Sequence, residues 1–237
     1  MDSVRRLNVT RLGVVDYEAA LKLQEAIVEA RSRDQIADTL LILEHPHVFT
    51  LGRGADERFL LKRRSDVPVF RVSRGGQVTY HGPGQLVGYP ILKLEGGARD
   101  VMVYLRALEQ VVIGALAHFG LCTGRREGFT GVWVGKDKIA SIGVGLRRWV
   151  TRHGFALNVA PDLSYFDAMI PCGIEGCSMT SVAALGHEAT LSDVAERVER
   201  EFVRQFKYQS ISVIQPASLW HLVDPGRTAG EISQVEE

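Results

Sequence analysis

The chain has 237 residues, of which 46% are hydrophobic and 24% are charged, and its 28 basic side chains balance 28 acidic ones. This composition is typical of a globular protein with a sizeable core, and the neutral balance argues against a dedicated nucleic-acid binder, although it permits a local basic patch. The N-terminus lacks the apolar region of a signal peptide, and the apolar run at 111–121 is too short to span a bilayer. We therefore expect a soluble, cytoplasmic protein.

Capping residues and apolar periodicity predict three helices, which begin after Asp16, Asp100 and Thr190. Runs rich in β-branched residues predict strands, and the GKDK sequence predicts a hairpin turn between two of them. The predicted elements are helices at 16–33, at 100–120 and from 190 to at least 202, and strands at 39–44, 47–51, 67–72, 129–135, 138–150 and 153–159.

Helices mixed with hairpin-linked strands predict an α/β (α+β) fold with a mixed, largely antiparallel sheet. We expect one domain over residues 1–224 and a flexible polar tail at 225–237. The alternative is that the segment after Thr190 forms a small appended lobe.

The stretch RVSRGGQVTYHGPGQLVGYPI at 71–91 contains five glycines. It matches neither the phosphate-binding GxxxxGK[ST] loop nor the dinucleotide-binding GxGxxG turn. A pair of tight turns would explain the glycines alone, whose lack of a side chain permits close backbone approach. The polar and aromatic residues among them favour a binding loop instead. These residues are Arg74, Thr79, Tyr80, His81, Gln85 and Tyr89.

The cysteines Cys122, Cys172 and Cys177 predict neither a disulfide framework nor a zinc site, because the closest pair is spaced CGIEGC rather than CxxC. Cys122 is predicted to fill the core. Cys172 lies between Pro and Gly, which predicts a turn, and it is either a nucleophile or a small buried hydrophobe. Lys138 is either a solvated charge or the partner of a thiol, whose pKa it would lower from about 8.5.

Taken together, these motifs resemble those of the lipoyl (octanoyl) transferases, the octanoyl-[acyl-carrier-protein]:protein N-octanoyltransferases. The family signature RGGxxTYHxxGQxxxY is matched without a gap from Arg74 to Tyr89. The pieces EHPHVFTLGR, GVWVGKDKIASIGV, HGFALNV and PCGI match further blocks, so the resemblance covers roughly residues 40–182. It implies the fold of biotin and lipoate ligase catalytic domains, a mixed sheet with helices and a smaller second sheet.

The resemblance also implies roles for individual residues. The acyl-thioester cysteine corresponds to Cys172 and the lysine that lowers its pKa to Lys138. Cys177 matches no catalytic position, and Ser141 stands where the family commonly has alanine. The implied substrate-binding residues are Arg74, Gly75, Gly76, Gln77, Val78, Thr79, Tyr80, His81, Ser141, Ile142, Gly143, Gly154, Phe155 and Ala156.

The implied reaction moves octanoyl from acyl carrier protein to a lysine of lipoyl domains, in 2-oxoacid dehydrogenase E2 subunits and glycine cleavage H protein. The donor is already a thioester, so no ATP, other cofactor or metal is expected, and we expect a monomer. His81 and backbone N–H groups are candidate oxyanion donors, and Tyr80 and Tyr89 could line an apolar slot. The acidic carrier protein would dock on a basic cluster, at 147–152 or at 125–126.

Three further expectations complete the analysis of the sequence. His45, His47 and His153 are predicted to be structural, because they lack metal-ligand spacing. The closest alternative function is an ATP-dependent lipoate or biotin ligase, which needs no thiol. A second alternative is a non-catalytic acyl-binding module.

Overall fold

The computed structural model describes residues 5–171 and 177–223. Within these residues a large sheet lies between two layers of helices, and a small sheet flanks it. The strands are β1 (Arg6–Val14), β2 (Asp38–Glu44), β3 (Val48–Leu51), β4 (Val69–Arg71), β5 (Val78–His81), β6 (Gln85–Ile91), β7 (Gly124–Arg126), β8 (Phe129–Val134), β9 (Asp137–Arg147), β10 (Val150–Asn158) and β11 (Ser210–Val213). The helices are α1 (Tyr17–Ser32), α2 (Val101–Ala117), α3 (Leu191–Phe206) and α4 (Pro216–Trp220).

The large sheet has the strand order β11-β1-β2-β6-β10-β9-β8-β7. Strand β1 pairs in parallel with β11 and with β2, and every other neighbouring pair in this sheet is antiparallel. The small sheet has the order β4-β3-β5, with one parallel and one antiparallel pair. The prediction of a mixed, largely antiparallel sheet with a smaller second sheet is confirmed.

The three predicted helix caps are present. The Asp16 carboxylate accepts from two backbone N–H groups of α1, Asp100 does the same for α2, and Thr190 forms a capping box with Asp193. These side chains satisfy N–H groups that have no partner inside the helix. The predicted starts of the helices are therefore confirmed.

Alternation along the strands places two apolar cores on opposite faces of the large sheet. In β2, Leu40 and Ile42 face the core formed with α2 and α3, whereas Leu41 and Leu43 face the core formed with α1 and α4. The sheet therefore holds helices on both faces, and its central strands are apolar throughout.

The described part of the C-terminal region packs into this architecture, which favours the one-domain prediction over an appended lobe. Helix α3 packs against α2 and contributes Val194, Val198 and Phe202 to the main core. Strand β11 then pairs with β1 at the edge of the large sheet. Strands β1, β5, β6, β7 and β11 and helix α4 were not predicted from the sequence. Strands β5 and β6 lie in the Gly-rich stretch that was interpreted as a binding loop, and β7, β11 and α4 are short. The alternating apolar and polar residues of β1 are typical of a strand and were overlooked. The predicted tail at 225–237 lies outside the described residues.

Gly88 makes room for an aromatic ring at the centre of the large sheet. It stands opposite Phe155 of β10, and a Cβ atom at Gly88 would lie 2.1 Å from Phe155 Cζ. This distance is far shorter than van der Waals contact. Strand β6 cannot easily move away, because it is hydrogen-bonded to β10 on one side and to β2 on the other. The glycine therefore serves the packing of the protein itself.

We expect Gly88→Ala to lower the free energy of unfolding by about 1–3 kcal/mol, the usual cost of overpacking a core. Urea denaturation measures the change. Gly97→Ala is the matched control, since a Cβ there would meet nothing within 4 Å. Equal stability of the two variants would show that the ring of Phe155 is not held against Gly88.

Candidate active site

A cavity of about 210 Å³ opens where the small sheet meets the large one. It collects residues from the Gly-rich stretch, from β9 and β10, and from the turn before β8. Of the predicted site residues, those that line it are Lys138, Arg74, Gly75, Gly76, Gln77, Val78, Thr79, His81, Ser141, Ile142, Gly143, Gly154, Phe155 and Ala156. Tyr17, Tyr89, Gly128, Phe129, Thr130, His153, Met169 and Pro171 complete the lining.

Backbone pairing brings these distant segments together. In the antiparallel pair β9–β10, Ser141 stands opposite Ala156 and Gly143 opposite Gly154. The Gly-rich loop then joins β9 through Gly75 N–H, which donates to the carbonyl of Val144 at 2.9 Å. The Gly-rich stretch, β9 and β10, which the resemblance only predicted to bind the same substrate, therefore form one continuous wall.

Arg74 organises the loop that it belongs to. Its side chain is buried, and its Nη2 donates to the carbonyl and the hydroxyl of Thr50, both at 2.7 Å. Its Nη1 donates to the carbonyls of Gly75 and Gln77 at 3.0 and 2.9 Å. One guanidinium thus fixes the turn and ties it to the small sheet, besides contributing to the cavity wall.

Tyr80 lies outside the cavity lining, unlike its neighbours Thr79 and His81, because successive side chains of a strand point to opposite faces. Its ring stacks on Tyr165 at 4.9 Å, and its hydroxyl bonds His47 Nδ1 at 2.7 Å. The expected apolar slot therefore has Tyr89 in its wall but not Tyr80.

A chain of hydrogen bonds fixes the tautomer of His81. The Gln85 amide N–H₂ faces two acceptors, the carbonyl of Tyr80 at 3.2 Å and Asn158 Oδ1 at 2.9 Å. Asn158 is itself oriented by donating to the carbonyl of Thr180. Gln85 Oε1 therefore faces His81 Nδ1 at 2.8 Å, and that nitrogen must carry the proton.

His81 is consequently an acceptor toward the cavity. Burial, with a further contribution from His45, holds the pKa of His81 well below 6.5, so the ring is neutral at pH 7. With Nδ1 protonated, Nε2 carries a lone pair and no proton. The expectation that His81 could donate to an oxyanion therefore does not fit the neutral ring in this hydrogen-bond network.

Two more histidines are buried here, His45 behind the cavity wall and His153 within it. His45 Nδ1 donates to the carbonyl of Val15 at 2.6 Å, so its Nε2 accepts from the Tyr89 hydroxyl at 2.7 Å. His153 lines the cavity and has a left-handed backbone, with φ of 56°. Among the residues that the structure describes, neither ring nitrogen of His153 has a hydrogen-bond partner.

Lys138 is 1% exposed and lies in the cavity wall. Its Nζ donates to the carbonyl of Thr130 at 2.8 Å and lies 5.2 Å from the centre of the Trp133 ring. This burial shows that the sequence alternative of a solvated lysine is wrong. The carbonyl and the aromatic ring are the kind of partners that a long charged side chain needs when it is buried.

The backbone of Lys138 joins the chain that follows the cysteine block. Its N–H donates to the carbonyl of Ser178, and its carbonyl accepts from Thr180 N–H, both at 2.9 Å. Cys172 lies outside the described residues. The residue before it, Pro171, lines the cavity.

The remaining predicted features have simpler positions. Cys122 is exposed, so the prediction that it fills the core is wrong; the preceding Leu121 packs inward instead. Cys177 is partly exposed, and its Sγ lies 3.7 Å from the carbonyl of Ser178. Of the basic clusters, Arg126 stacks over Phe129 in the cavity lining, whereas Arg147 pairs with Glu29 at 3.6 Å.

Across residues 5–171 and 177–223, no group of three or more His, Cys, Asp or Glu side chains is placed to hold a metal ion. Over the same ranges, no helix has both the length and the apolar character needed to cross a membrane.

The buried histidines make folding sensitive to acid. Burial lowers the pKa of His45 to about 4, and burial together with Arg74 lowers that of His153 to about 3. In the unfolded chain both should titrate near pH 6.5, so unfolding takes up protons below that value. Their stabilising contribution is complete above pH 6.5 and is lost progressively as the pH falls toward 4 and 3.

We expect the free energy of unfolding to fall by about 3 kcal/mol between pH 8 and pH 5.5 from these two residues, and His81 acts in the same direction. Urea denaturation at the two pH values measures the loss. In His45→Gln the loss should shrink by roughly half of that amount, whereas the half-exposed His187→Gln should leave it unchanged. A stability independent of pH over this range would contradict the neutral buried rings.

Comparisons with known proteins identify the family to which the chain belongs. Residues 16–203 match the family model of the lipoyl protein ligase A/B catalytic domain. An octanoyltransferase of Solibacter usitatus is 51% identical over 213 residues, which cover 88% of this chain and 96% of that protein. An octanoyltransferase of Caldicellulosiruptor bescii is 44% identical over 225 residues, covering 92% and 98%.

Solved structures show the same fold at low sequence identity. A lipoate protein ligase of T. acidophilum with bound lipoic acid has a TM-score of 0.72 at 17% identity and covers 94% of both chains. A lipoate-protein ligase A bound with ATP has a TM-score of 0.68 at 17% identity, with the same coverage. The apo biotin protein ligase from Aquifex aeolicus has a TM-score of 0.50 at 14% identity, over 85% of this chain and 69% of its own. With its matching family model and its close relatives, the chain belongs to the octanoyltransferases of the lipoyl protein ligase A/B catalytic-domain family.

Proposed function

We propose that this acyltransferase moves an octanoyl group from acyl carrier protein to a lysine of lipoyl domains through a thioester on Cys172. The observation that carries the proposal is the buried Lys138 ammonium in the cavity wall. The described residues that flank the Cys172 segment support the proposal. Pro171, to which Cys172 is bonded, lines the cavity, and Ser178 bonds the backbone of Lys138.

The proposed nucleophile is the Cys172 thiolate, which the Lys138 ammonium would stabilise. A nearby positive charge favours the thiolate, which is the reactive form of cysteine. The thiolate attacks the carbonyl carbon of the donor thioester, the bond to the carrier thiol breaks, and the leaving thiolate takes a proton. One thioester replaces another, so the step is nearly isoenergetic and needs no ATP.

The second step forms the amide. The lysine of the lipoyl domain is an ammonium in water, with a pKa of about 10.4, and must lose a proton before it attacks. Once Cys172 is acylated, no thiolate holds the proton on Lys138, so Lys138 can release it to solvent and, as a neutral amine, take one proton from the incoming ammonium. The amine then attacks the carbonyl carbon, its second proton passes to solvent, and the carbon–sulfur bond breaks, which leaves the Cys172 thiolate beside the restored Lys138 ammonium.

The cavity wall suits both substrates. Ile142, Phe155 and Met169 offer apolar surface to the octanoyl chain, whose burial is worth about 0.8 kcal/mol per CH₂. The lone pair on His81 Nε2 would accept a hydrogen bond from the attacking amine. Backbone N–H groups of the Gly-rich loop are the candidate donors to the oxyanion, in the way of other acyl-transfer enzymes.

The proposed partners are those that the family resemblance implies. The proposed donor is octanoyl-acyl carrier protein, and the proposed acceptors are lipoyl domains of 2-oxoacid dehydrogenase E2 subunits and glycine cleavage H protein. A monomer and a cytoplasmic location remain predictions from the sequence.

Intact-mass analysis tests the covalent step. Incubation with octanoyl-acyl carrier protein, without ATP, should add one octanoyl group to the protein, and peptide mapping should place it on Cys172. Cys172→Ala should lose the adduct and the transfer activity, whereas Cys122→Ser, at an exposed cysteine away from the cavity, should keep both. Acylation that required ATP would favour the ligase alternative. Full activity in Cys172→Ala without any adduct would contradict the thioester.

Lys138→Arg separates the two steps. Arginine keeps a positive charge but does not release its proton at neutral pH, so thioester formation should continue while amide formation slows strongly. Acyl-enzyme should then accumulate, which single-turnover mass analysis measures. Lys136→Arg, at an exposed lysine two residues away, is the matched control and should transfer normally. Normal transfer across pH by Lys138→Arg would rule out proton exchange at this residue.

A further inference from the structure

A fully buried carboxylate lies behind the cavity wall and takes no part in the steps above. Glu109, on the face of α2 that packs against β8, is 0% exposed. Arg106 Nη1 donates to its two oxygens at 2.9 and 2.7 Å, and Arg125 Nε donates to Oε2 at 2.8 Å. A carboxylate is costly to bury unless it is paired and hydrogen-bonded, and the two guanidinium groups meet that requirement.

The third partner of Glu109 is a backbone group that leads to the cavity. Gly131 N–H donates to Glu109 Oε1 at 3.1 Å, and the carbonyl of the same peptide unit, that of Thr130, accepts from Lys138 Nζ at 2.8 Å. The C=O and N–H of a trans peptide point in opposite directions. Carboxylate and ammonium therefore hold one peptide from its two sides and polarise it in the same sense, which strengthens both hydrogen bonds.

The backbone at this point is shaped around the lysine. Gly131 has φ of 132°, and a Cβ there would lie 2.4 Å from Lys138 Cε and 2.9 Å from Nζ. The register between β8 and β9 also shifts, since Val132 pairs with Ala140 but Trp133 pairs with Lys138. Such a bulge redirects a side chain. The position of the ammonium thus depends on the Thr130–Gly131 peptide.

We propose that Glu109 is a positioning residue, which holds the Thr130–Gly131 peptide and thereby sets the Lys138 ammonium in the cavity wall. Arg106 and Arg125 hold the carboxylate in its orientation through their hydrogen bonds. The inference rests on the proposed function of Lys138 beside Cys172. Without the charge on Glu109, the Thr130–Gly131 peptide is less polarised and less firmly held, so the Thr130 carbonyl binds the ammonium more weakly and its position relative to the thiol is less fixed.

Glu109→Gln removes the charge and keeps the shape of the side chain. The pH midpoint for alkylation of Cys172 by iodoacetamide should rise toward the value of about 8.5 for a free thiol. The kcat should fall about tenfold or more, as when a group that orients a functional side chain is removed, with little change in KM for the octanoyl donor. Glu201→Gln is the matched control, because Glu201 is a partly buried glutamate paired with Arg204 on α3. It should leave both quantities unchanged.

A double-mutant cycle with Lys138→Met separates positioning from a general structural effect. In the Lys138→Met background, Glu109→Gln should shift the alkylation midpoint no further. A shift of undiminished size there, or a wild-type profile in folded Glu109→Gln, would overturn the inference. If Glu109→Gln does not fold, Arg125→Gln, which removes one partner of the carboxylate, takes its place in the cycle with the same expected direction.

The cycle also distinguishes the two proposals. If Lys138→Met itself leaves the alkylation profile of Cys172 unchanged, the proposed role of Lys138 fails and the role of Glu109 falls with it. If Lys138→Met shifts the profile but Glu109→Gln does not, only the inference about Glu109 is lost.

Discussion

A buried ammonium has to keep its charge in a wall that is largely apolar, and the site depends on how this constraint is met. Lys138 is 1% exposed, yet its Nζ has the carbonyl of Thr130 at 2.8 Å and the Trp133 ring beneath it. Both contacts hold the end of this long side chain at the cavity wall. The proposed function depends on that placement.

The same constraint explains features that packing alone does not require. A glycine with φ of 132° and a bulge in the β8–β9 register both sit at the lysine, and a buried carboxylate stands behind it. In the same cavity lining, the neutral His81 presents a lone pair because a chain of hydrogen bonds that ends at the carbonyl of Thr180 fixes its tautomer. The cavity thus has the Lys138 side chain and the His81 acceptor in its lining, as the proposed reaction with a thiolate and then an amine nucleophile would need.

Local signals in the sequence were sufficient for part of the fold, such as the helix caps at Asp16, Asp100 and Thr190. The cavity was predicted from the family resemblance instead. Of the fourteen residues that the matched family blocks propose for substrate binding, thirteen line one cavity, together with Lys138. Tyr80 was missed because its motif does not say which face of β5 it occupies. The Glu109 link was missed because it joins a helix to a peptide 22 residues away through backbone atoms. The strand β11 was missed because its pairing with β1 spans the whole chain.

The central claim is that the Lys138 ammonium and the Cys172 thiolate form an ion pair at the cavity. A crystal structure of the free enzyme measures this most directly, as the distance between Lys138 Nζ and Cys172 Sγ. The account predicts a separation within about 4 to 6 Å, the range over which an opposite charge favours the ionised form of its neighbour. A thiol on another face of the molecule, or one sealed from the cavity that Lys138 lines, would contradict it.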